Sequence, residues 1–335
     1  MRLGIYYSLR FFSINHMITS SKIIQMIKSN KISNILNESN KILDMDVLSL
    51  SLILNELKKQ NLQAENCRSI LNIIMASLEK NSFDATNSVC SLVRIAKFIK
   101  YSDAVTLKII DFIKSISDDL SPREISDIVS GVYYLNISTK EKIEVLDFMC
   151  EKIDKTIDNF ASKDKSSIIT GLCKIFSPRI KETAHLILEK INTQNIIEMS
   201  AACNFLSFCP FDDFMHYFNI CENLILENPR ELPLIKNQLI HSYSKYKIGS
   251  SVLWNFFIDD FIENHNTIDK KSLFLWYKGF HRYGKLSEAK LDKLEIFFES
   301  DKKYFSQLQL EHIEFYRVRK IHKIQIPLKE NKSDK

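Results

Sequence analysis

The segment IVSGVYYL, residues 128–135, has apolar residues at its first, fifth and eighth positions and a small residue at its fourth. The same pattern recurs at residues 168–175, 239–246 and 276–283, and in looser form at 53–60, 91–98 and 199–206. We call the fourth residue of each copy the marker; the markers are Glu56, Arg94, Gly131, Gly171, Ala202, Ser242 and Gly279. They are separated by 38, 37, 40, 31, 40 and 37 residues, and a period in this range is typical of a helical-repeat array.

The third copy shows how one repeat is built. Ser121 and Glu124 form a capping-box pattern, with Pro122 at the first helical position, where its missing N–H costs nothing. Apolar residues then follow at helical spacing from Ile125 to Leu135. A second capping box, beginning at Ser138, opens a second helix. The sequence therefore predicts an all-α protein, an alpha-solenoid of about seven helix-turn-helix repeats with a period of about 37–40 residues.

The markers also predict how neighbouring repeats pack. Five of the seven are Gly, Ala or Ser, and three are glycine inside a predicted helix. Glycine in a helix interior costs about 1 kcal/mol relative to alanine. We therefore expect the first helices of adjacent repeats, the A helices, to approach closely at Gly131, Gly171 and Gly279.

The predicted organisation has four parts. Residues 1–20 are a mitochondrial transit peptide, 21–45 an N-terminal helical cap, 46–323 the solenoid and 324–335 a polar tail. The short 31-residue interval predicts a bend in the array before the fifth repeat. The repeats are expected to begin near Asp46, Asp84, Ser121, Ser162, Asn195, Pro233 and Thr267.

The N-terminal composition predicts location. The first acidic residue is Glu38, and RFFS at residues 10–13 resembles a mitochondrial processing site. A positive, acid-free and hydroxyl-rich start is typical of transit peptides, so a mitochondrial, matrix location is expected, with an ordinary polar extension as the alternative. No run approaches the roughly 20 apolar residues that a membrane span needs.

The sequence offers no enzyme signature. No two of its seven cysteines form a C-x-x-C pair, and most of them lie on apolar stripes. Both observations indicate reduced, buried thiols. The spacing G-x-x-x-x-G-K at residues 279–285 is followed by Leu286 rather than Ser or Thr, and no strand precedes it. The paired aspartates suit helix capping and solvation. We therefore predict no catalytic site, metal or cofactor.

A recurring basic position is the best candidate for a binding site. The residue three beyond each marker is Lys59, Lys97, Tyr134, Lys174, Phe205, Lys245 or Arg282. Stacked repeats would align these positions into a positive stripe with interleaved aromatics, suited to RNA phosphates and bases. Cations near helix C-termini also complement the helix dipole, which is the simpler explanation. The predicted RNA-binding residues are Lys59, Lys97, Tyr134, Lys174, Lys245 and Arg282, with a basic cluster of Arg317, Arg319, Lys320 and Lys323 on a final helix at 307–323.

The A-helix pattern at 91–98, 168–175 and 239–246 resembles the heptatricopeptide-type repeat, a relative of the octotricopeptide and pentatricopeptide repeats. The resemblance covers roughly residues 46–323. It implies an organellar alpha-solenoid that binds RNA on its concave face, in RNA processing or stability, or as a mitoribosome component or assembly factor. Two features depart from the family pattern. No RAP domain follows Lys323, and the unequal repeats do not fit the strict 35-residue unit of the base code.

A protein scaffold is the alternative function. A formal charge of +5 is modest for a dedicated RNA binder, although it permits one. The aromatic-rich stretch from Phe205 to Phe218 is expected to be exposed and would suit protein partners. A structural subunit of a mitochondrial complex without direct RNA contact is thus expected under this alternative, and a mitoribosomal subunit would combine both functions.

Overall fold

The computed structural model describes residues 18–60, 62, 64–116, 120–229 and 236–321, and these residues contain helices and turns but no strand. This confirms the predicted all-α, helical-repeat solenoid class. The chain divides into two compact units, Met1–Lys190 and Ile191–Lys335. The boundary lies in the short interval between Gly171 and Ala202, whereas the sequence predicted one continuous array over residues 46–323.

The first unit begins with short helices and continues with four helical hairpins. Helix α1 covers residues 18–28 of the described chain, and α2 and α3 are Ile32–Ile35 and Ser39–Leu43, joined by a 3-10 turn. The A helices pack on one another in chain order, and so do the second helices of the hairpins, the B helices. The A helices are α4 (Val47–Leu57), α6 (Thr86–Ile95), α8 (Pro122–Val132) and α10 (Ser162–Leu172); the B helices are α5 (Glu65–Lys80), α7 (Asp103–Ser115), α9 (Thr139–Thr156) and α11 (Pro178–Glu189).

The second unit repeats this arrangement with three hairpins and a last single helix. Its A helices again pack in chain order, and α13 packs on α15. The A helices are α12 (Ile196–Phe208), α14 (Lys236–Tyr246), α16 (Lys270–Tyr283) and α18 (Gln307–Ile321); the B helices are α13 (Phe214–Glu227), α15 (Ser251–Asn264) and α17 (Glu288–Asp301). The predicted final helix is therefore present up to Ile321. The predicted transit processing site and polar tail lie outside the described residues.

Both predicted capping boxes are confirmed. The Ser121 hydroxyl accepts the Glu124 N–H at 3.3 Å, and the Glu124 carboxylate accepts the Ser121 N–H at 2.8 Å. Ser138 and Glu141 form the same pair at the start of α9. Because these pairs satisfy N–H groups that the helix itself cannot, they fix where α8 and α9 begin.

The core is formed by the apolar stripes that define the repeat pattern. In the third repeat Ile125, Ile128, Val129 and Val132 are all buried. Six of the seven cysteines are buried and Cys209 is half-buried, all as free thiols. The prediction of buried cysteines is confirmed at six of the seven positions.

Adjacent A helices approach too closely for a side chain at the glycine markers. A Cβ atom on Gly131 would lie 2.1 Å from the Val93 carbonyl oxygen of α6, and one on Gly171 would lie 2.6 Å from the Val129 carbonyl oxygen of α8. At Gly279 the obstacle is the Ile240 side chain of α14, at 2.2 Å. The predicted close contact is confirmed, and at the first two positions it is made with backbone.

We expect Gly131→Ala to destabilise the first unit, although alanine is the better helix former. The new methyl group can be accommodated only by moving α8 away from α6, and overpacking of this kind costs about 1–3 kcal/mol. Thermal unfolding followed by circular dichroism measures the effect. Ser130→Ala, on the same helix, is the control and should stay within about 0.5 kcal/mol of the parent protein. An unchanged or higher melting temperature for Gly131→Ala would contradict the close-contact interpretation.

Candidate nucleic-acid interface

The residues three beyond the markers lie at or just after the ends of the A helices. Lys59, Lys97, Tyr134 and Lys174 each lie two residues past the last helical residue, in the turn toward helix B. In the second unit, Phe205, Lys245 and Arg282 lie inside their helices. Since the A helices stack in order within each unit, neighbouring repeats bring these positions close together.

In the first unit, Lys58 and Lys97 flank the exposed ring of Phe98. Their Nζ atoms lie 5.4 Å and 4.9 Å from the ring centroid, and Phe98 is 48% exposed. Burial lowers the pKa of Lys58, and the charges of Arg94, Lys97 and Lys59 lower it further. Lys59 forms an ion pair with Glu56 at 2.8 Å, so its charge is already balanced. Lys97 has no such carboxylate partner among the described residues.

The third and fourth repeats meet at a pair of tyrosines. The Lys174 ammonium group donates a hydrogen bond to the Tyr134 hydroxyl at 3.1 Å and lies 4.4 Å from the centroid of that ring. Tyr133 packs edge-on against Tyr134, and both rings are exposed. Two predicted residues, 40 positions apart in sequence, are therefore in direct contact.

In the second unit, Phe205 is not available to stack a base. Phe205 is completely buried and contacts Phe211, so its predicted place in an exposed stripe is wrong. Phe208, one helical turn later, is 43% exposed instead. Its ring stacks on His241 with centroids 5.7 Å apart, and the Lys245 ammonium group lies 4.7 Å from the ring centroid.

Two adjacent A helices add a cationic cluster beside Phe208. His241 and Lys245 on α14, and Lys278 and Arg282 on α16, are i, i+4 pairs on single helix faces. Burial lowers the pKa of His241 to about 4, helped by the charges of Arg282, Lys278 and Lys245. Burial and Arg282 also lower the pKa of both lysines. Lys245, Lys278 and Arg282 form no ion pair with a carboxylate within the described chain. The guanidinium carbon of Arg282 lies 5.8 Å from the centroid of the Tyr316 ring.

His241 and Lys278 were not predicted as site residues, although the sequence carries a signal for both. Both residues immediately precede a marker and therefore share a helix face with the basic residue four positions later. The repeat pattern did not identify Lys58, Phe98 and Phe208 as site residues. The exposure of their side chains depends on the path of the neighbouring turns, which the pattern does not predict.

The predicted basic cluster on the last helix provides no free cation in the described chain. Arg317 donates to Glu295 at 3.0 Å through Nε, donates to the same carboxylate through a second nitrogen, and also bonds Glu314. Its guanidinium group is thus already bound to carboxylates, so we do not retain Arg317 as a phosphate ligand. Arg319 and Lys320 belong to α18, but their side chains, like all of Lys323, lie outside the described part.

Other chemistries find no support in the part of the chain that the structure describes. It contains no group of three or more His, Cys, Asp or Glu side chains that could hold a metal ion. None of the described helices is both long enough and apolar enough to cross a bilayer. Asp259 and Asp260 bind Lys290 and Lys236, and Asp118 and Asp119 lie outside the described residues.

No protein-family model matches this sequence, and no curated protein matches it either.

The pKa of His241 offers a test of the cationic cluster. Arg282→Gln should raise this pKa above about 4, because one of the positive charges that disfavour protonation is removed. The pKa should remain below the ordinary 6.5, since burial persists. Titration of the His241 ring by NMR measures the effect. Lys285→Gln removes an equal charge nearby and should leave the pKa unchanged; an equal rise in both variants would contradict the proposed cluster.

Proposed function

We propose that this protein binds single-stranded RNA through exposed aromatic rings flanked by cations of the A helices. One observation carries the proposal. Lys97, Lys174, Lys245 and Arg282 each lie within 6 Å of an aromatic ring centroid, and none has a carboxylate partner within the described chain. Cations that attract phosphates, combined with rings that stack bases, are the usual basis of binding to single strands.

An unpaired strand fits this surface better than a duplex. Stacking on Phe98, Tyr134 or Phe208 needs a base whose face is accessible, and base pairing in a helix hides that face. Proteins recognise double-stranded RNA mainly by its shape and through contacts with phosphates and 2′-hydroxyl groups. Exposed aromatic rings do not contribute to contacts of this kind. The exposed rings are therefore the feature that favours single strands.

The A helices of the second unit carry more cations than compensation of the helix dipole would require. One cation at a helix end is stabilised by the dipole. On α14 and α16, however, the charge of Arg282 lowers the pKa of both Lys245 and Lys278, and all three charges lower the pKa of His241. Such mutual repulsion destabilises the free protein and is relieved when an anion binds.

The scaffold alternative depended on exposed aromatics in the stretch from Phe205 to Phe218. Phe205 and Phe218 are buried, and Phe211, Phe214 and Tyr217 are half-buried. In this stretch Phe208 is exposed, and it faces His241 and Lys245 rather than an apolar groove. The surface therefore favours a polyanion over an apolar protein partner.

We further propose that the protein acts in the mitochondrial matrix, in RNA processing or stability or on the mitoribosome. The acid-free residues 1–37 and the resemblance to heptatricopeptide-type repeats support this part. Tagging the protein in its own cells, fractionating mitochondria on a gradient and sequencing crosslinked RNA would test it. Co-sedimentation with ribosomal RNA would indicate a ribosomal role, and a few enriched transcripts a maturation role. A tagged protein absent from mitochondria would contradict the location.

RNA binding itself is tested by removing the four unpaired charges together. The variant Lys97→Gln, Lys174→Gln, Lys245→Gln and Arg282→Gln should bind single-stranded RNA more weakly. Each phosphate contact contributes about 0.7 to the slope of log affinity against log salt, so the slope should fall by up to about 3. Fluorescence anisotropy at several salt concentrations measures both quantities.

The matched control removes four lysines that already pair with carboxylates. These lysines are Lys114, Lys190, Lys290 and Lys302. Their replacement by glutamine changes the net charge equally but should leave most of the affinity and of the salt slope intact. Equal losses of affinity in both variants would show that net charge alone accounts for RNA binding. That result would contradict the proposed interface.

A further inference from the structure

An open surface depression of about 590 Å³, called the cavity below, lies in the first unit between two consecutive A–B turns. Its size falls within the range of small-molecule sites. One of its lining residues, Lys174, is also a predicted RNA-binding residue. The cavity is lined by Tyr133, Thr139, Lys142, Lys174, Ile175 and Phe176.

The repeat architecture positions these residues. Tyr133 follows the end of α8, Lys142 lies in the first turn of α9, and Phe176 lies in the turn between α10 and α11. The capping box at Ser138 fixes where α9 begins, and the backbone contact at Gly171 fixes the distance from α8 to α10. The cavity is therefore held between elements whose positions are set by packing.

Two cations face the same aromatic ring in this cavity. The Nζ atoms of Lys142 and Lys174 lie 5.2 Å and 5.6 Å from the Tyr133 centroid. Neither lysine pairs with a carboxylate anywhere in the described chain. The nearby carboxylate of Glu141 is engaged by the Ser138 hydroxyl and N–H, which lowers its pKa. The site therefore has two positive charges that no acid neutralises.

The cavity wall also exposes aromatic surface. Phe176 is 46% exposed and Tyr133 is 41% exposed. Phenylalanine has no polar group to hydrogen-bond with water, so its exposed face is available for stacking. Two rings and two ammonium groups around one cavity match a ligand that combines a flat ring with a negative charge.

We propose that this cavity binds one unpaired nucleotide of the RNA, with its base on Phe176 and Tyr133 and its phosphate between Lys142 and Lys174. This inference rests on the proposed function and deepens it, because it names a subsite and its ligand class. An acidic peptide would use the lysines but would leave the Phe176 ring without a partner. A nucleotide uses both kinds of group.

The experiment uses the full-length protein and a short single-stranded RNA carrying one 2-aminopurine, whose fluorescence falls when it stacks. Wild-type protein should quench the probe. Phe176→Ala should reduce the quenching and should weaken the affinity by about 5- to 150-fold, as expected for loss of one base–aromatic stack. Phe176→Tyr keeps the ring and should bind like the wild type, which separates stacking from a folding defect.

The charge is tested with a matched pair on one helix turn. Lys142→Gln should weaken binding and lower the salt slope by about 0.7. Lys140→Gln removes the same charge from an exposed residue that does not line the cavity, and it should have little effect. A duplex of the same sequence should compete poorly, since its bases are paired.

The outcomes separate this inference from the broader proposal. If wild-type protein binds no single-stranded RNA, both are wrong. If it binds RNA, and the four-charge variant weakens binding while Phe176→Ala and Lys142→Gln bind and quench like the wild type, the nucleotide subsite is wrong and the proposed function stands. Equal competition by the duplex, or equal losses for Lys140→Gln and Lys142→Gln, would also overturn the subsite.

Discussion

The contact between neighbouring A helices at the glycine markers is the constraint on which the candidate surfaces depend. Gly131 lies against the Val93 carbonyl and Gly171 against the Val129 carbonyl, so the spacing of α6, α8 and α10 is set by backbone atoms. With spacing and rotation fixed, residues at equal offsets from the markers emerge on one side. This is why Tyr134 and Lys174 lie within 3.1 Å of one another. The close packing of the core thus determines the arrangement of the surface.

The cations of the described chain have two kinds of partner. Some pair with acids, as Arg179 does with Asp154 and Lys236 with Asp260. At the ends of the A helices, Lys97, Lys174 and Lys245 lie against aromatic rings. A cation over a ring gains about 0.5–2 kcal/mol while its ammonium group remains open to an anion. The ring and the cation therefore hold each other in place, and the positive charge remains available to an anionic ligand.

Local patterns predicted most of the fold, and long-range contacts account for what they missed. The capping boxes, the helix order and the glycine contacts depend on residues a few positions apart or on the repeat period. Phe205 was placed wrongly because α12 runs on to Phe208, which leaves Phe205 covered by the Phe211 turn. Arg317 was judged a free cation because its partner Glu295 is 22 residues away on another helix. Periodicity identifies a helix face but not what covers it.

The glycine contacts also limit how the length of this chain can change. One residue inserted into an A helix would rotate everything beyond it by about 100°, since the α-helix has 3.6 residues per turn. The marker glycine would then leave its contact and a larger residue would replace it. Length differences must therefore be absorbed away from the glycine contacts, in the B helices, in the turns and at the helix ends. The B helices vary from 12 residues in α11 to 18 in α9, and the A helices that carry a marker vary from 10 residues in α6 to 14 in α16. The unequal repeat intervals of this sequence are thus the expected outcome of insertions and deletions that leave the marker contacts in register.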